Sequence, residues 1–188
     1  MNKCFAAVAA FALSATALTA SATPVQGDVD DAASQGSFDI ILNVNSAIVV
    51  KMLDDMTLTV DGATPDAPIV GRENICVGGI GHTQYTVNLS STNGGLDTGV
   101  FQLLGNGTTP DTMNYNVAFA NNVIDTATGD TIVASSGDID ASPYALADNL
   151  SCASGENAQV IVSVPAAEWQ AAVDAVYGDT LTVTVAGE

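Results

Sequence analysis

Basic residues are nearly absent. Three of 188 residues are Lys or Arg and one is His, against 21 Asp and Glu, for a formal net charge of −18. A surface so acidic repels nucleic acid and anionic lipid, and neither is an expected partner. The lone histidine, His82, removes every site that needs two imidazoles, and its flank "GIGHTQ" reads as a loop entering a strand. No "G-x-S-x-G" elbow accompanies it, so a serine-hydrolase arrangement has no support. With no titratable cluster of the kind active sites need, neither catalysis nor a cofactor is expected. Aromatic residues make up only 5% of the chain. Tyr85, Tyr115, Tyr144 and Trp169 are a thin basis for a sugar-stacking platform, and Tyr85 and Tyr115 fall in strand patterns where core packing explains them.

Cysteine is scarce as well, with three in the chain. Residues 1–22 read as a signal peptide: Lys3 supplies the positive start, Cys4 to Leu18 an apolar stretch too short and too rich in small residues to anchor stably, and Ala20-Ser21-Ala22 a cleavage pattern. Cleavage removes Cys4 and leaves Cys76 and Cys152 to pair in an oxidising compartment. It also leaves two cationic side chains, Lys51 and Arg72, against 21 carboxylates, a formal charge of −19. About 166 residues then remain, enough for one domain with its own core.

What is present is a strand pattern. "TPVQGDVDDAASQ", Thr23 to Gln35, has few large apolar residues and reads as a flexible acidic leader. From Gly36 onward, short β-branched and aromatic runs alternate with Gly, Asn, Asp and Pro clusters, the pattern of an all-β sandwich. Candidate strands are Phe38 to Val44, Ala47 to Leu53, Met56 to Val60, Gln84 to Leu89, Phe101 to Leu104, Asn114 to Ala120, Thr131 to Ala134, Gln159 to Val164 and Thr180 to Val185. Trp169, Val173, Val176 and Tyr177 stand at helical spacing, which predicts a short helix begun by Pro165 and stopped by Gly178.

The run "FDIILNV" places Phe38, Ile40, Leu42 and Val44 on one face and Asp39, Ile41 and Asn43 on the other. Burying the four apolar side chains would contribute roughly 6 to 12 kcal/mol. A slip of one residue would bury Asp39 and Asn43 instead, so the register is specified. Two destinations fit: a hairpin with Ala47 to Leu53 through Asn45-Ser46, or the groove of another molecule. The two-residue connection lacks the glycine that tight hairpins favour, but spacing leaves both open.

The succession of "FDIILNV", "AIVVKMLDDMTLTV", "CVGGIGHTQYTVNLSS", "MNYNVAF", "CASGENAQVIVSV" and the terminal "YGDTLTVTVAGE" resembles the pilin-type subunits of bacterial chaperone–usher fimbriae, nearest the alternative and spore-coat-U-like branches. The resemblance spans nearly all of the chain beyond residue 22. It implies an incomplete immunoglobulin-like β-sandwich with an N-terminal donor-strand extension, whose missing strand is supplied by a neighbouring subunit. The implied divisions are a signal peptide (1–22), a leader (23–36), a donor strand (37–45) and a pilin-like domain (46–188). Phe38, Ile40, Leu42 and Val44 would be the donor residues. Leu181, Val183 and Val185 would line the acceptor groove, flanked also by Ala47 to Leu53. Implied partners are identical or related subunits, a periplasmic chaperone that covers the groove, and an outer-membrane usher. Implied localisation is the cell surface, reached through the periplasm. The leader is longer and more acidic than a donor extension needs, which brings Val25 and Val29 into consideration.

A second functional class, a secreted β-sandwich lectin or carbohydrate-binding module, would use the four aromatics named above. Asp28/Asp30/Asp31 and Asp138/Asp140 offer alternating oxygen ligands, but neither group completes a calcium loop with its terminal glutamate, and no metal is expected. Asn88, Asn106 and Asn149 stand in glycosylation sequons that a bacterial exporter would usually ignore.

Overall fold

The computed structural model describes residues 25–27, 29, 32–94, 100–124, 130–131 and 143–188. The expected signal peptide with Cys4, the groups Asp28/Asp30/Asp31 and Asp138/Asp140, and most of the Thr131 to Ala134 run lie outside the described residues. No helix among the described residues is long and apolar enough to cross a membrane.

The strands are β1 (Ala47–Lys51), β2 (Ile69–Ile80), β3 (Gln84–Ser91), β4 (Phe101–Gly105), β5 (Thr112–Ala120), β6 (Asp130–Thr131), β7 (Tyr144–Ala145), β8 (Ala158–Val164), β9 (Tyr177–Gly178) and β10 (Leu181–Gly187), with one helical turn, α1 (Ala166–Gln170). They form two antiparallel sheets. The larger has the order β1-β2-β8-β5-β4-β9, with β6 also paired to β5, and the smaller has the order β10-β3-β7. The fold is an all-β sandwich. Period-2 alternation fills its interior: Tyr85, Val87 and Leu89 from β3 meet Met113, Tyr115, Val117 and Phe119 from β5, with Val160, Val162 and Val164 from β8. Each of these is at most 8% exposed.

Strand β2 is absent from the sequence expectation, although it is the longest. Its glycines and the Arg72-Glu73 pair break the alternation, but the glycines are where other chain segments come close. A Cβ on Gly78 would collide with the Asn149 carbonyl, and one on Gly79 would stand 2.7 Å from Leu146 Cδ2. The 146–152 segment thus lies directly on β2, held by Gly79 N–H to the Asp148 carbonyl at 3.0 Å and by the Cys76–Cys152 disulfide. Arg72 and Asn74 of β2 bracket the buried Gln159 of β8: Arg72 Nη1 donates to Gln159 Oε1 at 2.7 Å, and Gln159 Nε2 to Asn74 Oδ1 at 2.8 Å.

The expected helix up to Gly178 is corrected to the single turn α1. Val173 and Val176 are exposed rather than packed. Tyr177 leaves the helical path because it pairs with Gly105 as β9, and its hydroxyl accepts from the N–H groups of Val173 and Asp174, each at 2.9 Å. The turn that does form has a role: β8 ends at Val164, and Glu168 Oε2 then accepts the Asn114 N–H of β5 at 3.0 Å. Trp169 is half-buried and donates its indole N–H to the Ala67 carbonyl at 3.1 Å.

Two units divide the chain, residues 1–43 and 44–188. In the first, Val25 and Ser37 exchange backbone hydrogen bonds at 3.0 and 2.9 Å. Residues 38–46 belong to no strand. The candidate strand Phe38 to Val44 and the hairpin through Asn45-Ser46 are therefore not realised, and β1 pairs with β2 instead, from Ala47↔Ile80 to Lys51↔Cys76.

Candidate functional site

The two sheets end beside each other in unlike ways. β1 is an edge of the larger sheet and β10 an edge of the smaller, and the two strands approach each other without sharing a ladder. Past Lys51 the chain adopts a left-handed conformation at Met52, φ 63°, and residues 52–60 leave the ladder. The expected strand Met56 to Val60 is thus not hydrogen-bonded as one. Its side chains nevertheless keep strand alternation, with Met56 and Leu58 half-buried between exposed neighbours. Both side chains lie over Gly71, the residue that the β1–β2 register, continued past Lys51↔Cys76, puts opposite Met56. Residues 47–60 therefore run as one lip along the border of the larger sheet.

β10 forms the other lip. Its ladder to β3 runs from Leu181↔Ser91 to Gly187↔Tyr85, and its ends are pinned by Thr92 N–H to the Thr180 carbonyl at 3.1 Å and Glu188 N–H to the Gln84 carbonyl at 2.8 Å. Leu181, Val183 and Val185 point inward and Thr182 and Thr184 outward. Between the lips the core is not sealed. Ile48 and Val50, Met56 and Leu58, and the three β10 aliphatics all touch the core cluster, yet all are only half-buried. Among the described residues, β10 pairs only with β3 and β1 only with β2. β1 and β10 thus each present a strand edge with no second ladder above an apolar floor. Such a border has the shape for one extended strand with side chains of alternating polarity, whose backbone would bond both edges while its apolar face filled the gap.

Phe38, Ile40, Leu42 and Val44 carry such a face. They are 73%, 84%, 83% and 54% exposed, where apolar side chains of this size gain roughly 1.5 to 3 kcal/mol each on full burial.

Asp179 holds the base of β10 in place. Ser91 Oγ of β3 and Tyr115 Oη of β5 both donate to its Oδ2 at 2.5 Å, and Asn93 N–H to its Oδ1 at 3.1 Å. One carboxylate so ties both sheets together at the start of the open strand. Burial, and next the Asp179 carboxylate, push the Tyr115 phenol above its ordinary range, which keeps it a neutral donor. Asp179→Ala removes the acceptor that the Ser91 and Tyr115 hydroxyls share in a part-buried setting and is expected to cost about 2 kcal/mol, read as a lowered urea midpoint with unchanged slope. Asp179 lies in the "YGDT" run, and a carboxylate just before an alternating strand was its one signal in the sequence.

His82 is half-buried beside Gly187, where a Cβ would meet its ring. Tyr85 and Tyr115 are 1% and 5% exposed, and Tyr85 Oη donates to Asn121 Oδ1 at 2.6 Å. Tyr144 packs on Tyr85 and Phe119 with ring centroids 5.7 and 5.1 Å apart. These tyrosines build the interior and form no exposed stacking surface. No group of three or more potential metal-ligating side chains occurs among the described residues.

No family model matches the chain, and no curated protein matches it. Among solved structures, it is similar to a chain of one described as "Chaperone-tip adhesin complex is vital for synergistic activation of CFA/I fimbriae biogenesis", at 12% identity and a TM-score of 0.43. The match covers 75% of this chain and 42% of that one, so this chain spans less than half of its length.

Proposed function

We propose that the protein is a structural subunit of a cell-surface fimbria, an incomplete immunoglobulin-like sandwich that polymerises by donor-strand complementation and supports adhesion or biofilm formation. One observation carries this reading: among the described residues, two strand edges without a second ladder, β1 and β10, flank a half-buried aliphatic floor. The donor is the segment 37–45, whose Phe38, Ile40, Leu42 and Val44 are exposed in a single chain. It would enter the seam of an adjacent copy, since an apolar edge left open aggregates. The sequence resemblance supports the same partners: identical or related subunits, a periplasmic chaperone that covers the seam before assembly, and an outer-membrane usher. The protein is then exported to the surface and is not an enzyme. Sedimentation of the purified chain tests this. Multimers that dissociate when excess Ser37–Asn45 peptide competes for the seam are expected; a stable monomer retained on a glycan column would favour the lectin class instead.

A further inference from the structure

We infer that ionic strength gates this assembly: at low salt, copies exchange strands slowly because the apolar seam is rimmed by carboxylates, and dissolved cations lift the block. The inference rests on the strand-exchange reading and concerns what limits its rate. Asp54, Asp55 and Asp61 are exposed on or beside the 52–60 lip. Glu188 stands exposed at the end of the β10 lip, its backbone held to β3. The incoming segment adds Asp39. Cations are few, and both of those beyond residue 22 are engaged within the domain: Lys51 Nζ donates to the Leu150 carbonyl at 2.6 Å and Arg72 to Gln159 Oε1 at 2.7 Å.

Two copies of a chain with net charge −18 must come into contact before any apolar side chain is buried. At about 10 mM salt the screening length is about 30 Å, so their fields overlap well before contact; at about 0.5 M it falls to a few ångströms. Apolar burial itself is short-ranged and not weakened by salt. Repulsion therefore slows approach, and added salt accelerates it, opposite to the salt response of oppositely charged partners. The peptide Ser37–Asn45 offers the same apolar face with one carboxylate, Asp39, and separates the two contributions.

The test follows light scattering after the full chain is moved from about 10 mM to about 500 mM NaCl, where the initial rate of polymerisation is expected to rise at least about tenfold. Binding of labelled Ser37–Asn45 to the same chain should change by less than about threefold over that range. The triple variant Asp54→Asn, Asp55→Asn, Asp61→Asn should polymerise several-fold faster than the parent at low salt and converge with it at high salt. An Ile40→Asp chain should not scatter at either salt, which excludes salting-out. A rate that is flat or falling with salt while peptide still binds overturns the gating and leaves strand exchange standing, as does a triple variant with parental rates throughout. Failure of the peptide to bind at any salt overturns strand exchange, and the gating with it.

Discussion

Ile40→Asp is expected to abolish polymer while the melting temperature of the folded domain stays where it was. Ile40 is 84% exposed in the single chain, so the substitution removes nothing from the chain's own core. In the proposed assembly the same side chain enters an apolar seam. Replacing it forfeits its burial and forces a carboxylate into a site lined by aliphatics, for a combined loss of at least about 3 kcal/mol, or more than a hundredfold in affinity. Leu42→Asp should behave alike, being 83% exposed. Asp39→Asn, on the opposite face, should leave multimers intact. Sedimentation paired with thermal denaturation separates the outcomes: a variant that unfolds as a monomer would place this segment in the chain's own core.

The second large effect concerns the disulfide. Cys76 and Cys152 are joined across 76 residues of sequence, and in the chain-entropy model closing such a loop stabilises the fold by at most about 4.5 kcal/mol. The Cys76→Ser, Cys152→Ser double variant should lose a large part of that, measured as a fall in the denaturant midpoint. The damage should centre on the first lip of the seam, because Cys76 pairs with Lys51 of β1 and the Lys51 ammonium bonds the Leu150 carbonyl close to Cys152. An unchanged midpoint would show that the loop is already restrained in the unfolded chain.

Strands whose inward faces meet a continuous core were legible from alternation alone. β3, β5, β8 and β10 follow it, and the inward placement of Leu181, Val183 and Val185 comes from the same rule. β2 was not legible, since the features that disqualify it locally, Gly71, Gly78 and Gly79, are answered only by the segments that close over them: Met56 and Leu58, the Asn149 carbonyl, and Leu146. The helical spacing from Trp169 to Tyr177 misled because pairing of Tyr177 with β4 outweighs one more turn of helix. Met56 to Val60 has strand alternation without strand bonding. A pattern of side chains fixes which face is buried, but a ladder also needs a partner, and on this side of the lip the described residues supply none. The partners of Asp179 were not legible for a related reason: its donors, Ser91 and Tyr115, are distant in sequence and meet only when the two sheets close.

Amide hydrogen exchange along β10 tests most directly the proposal that the sandwich is unfinished. In a chain kept monomeric by Ile40→Asp, amides of Leu181–Gly187 that bond β3 should be protected while those facing the open edge exchange quickly, and adding Ser37–Asn45 peptide should protect the second set. Uniform protection along β10 in the monomer, unaltered by the peptide, would contradict the account.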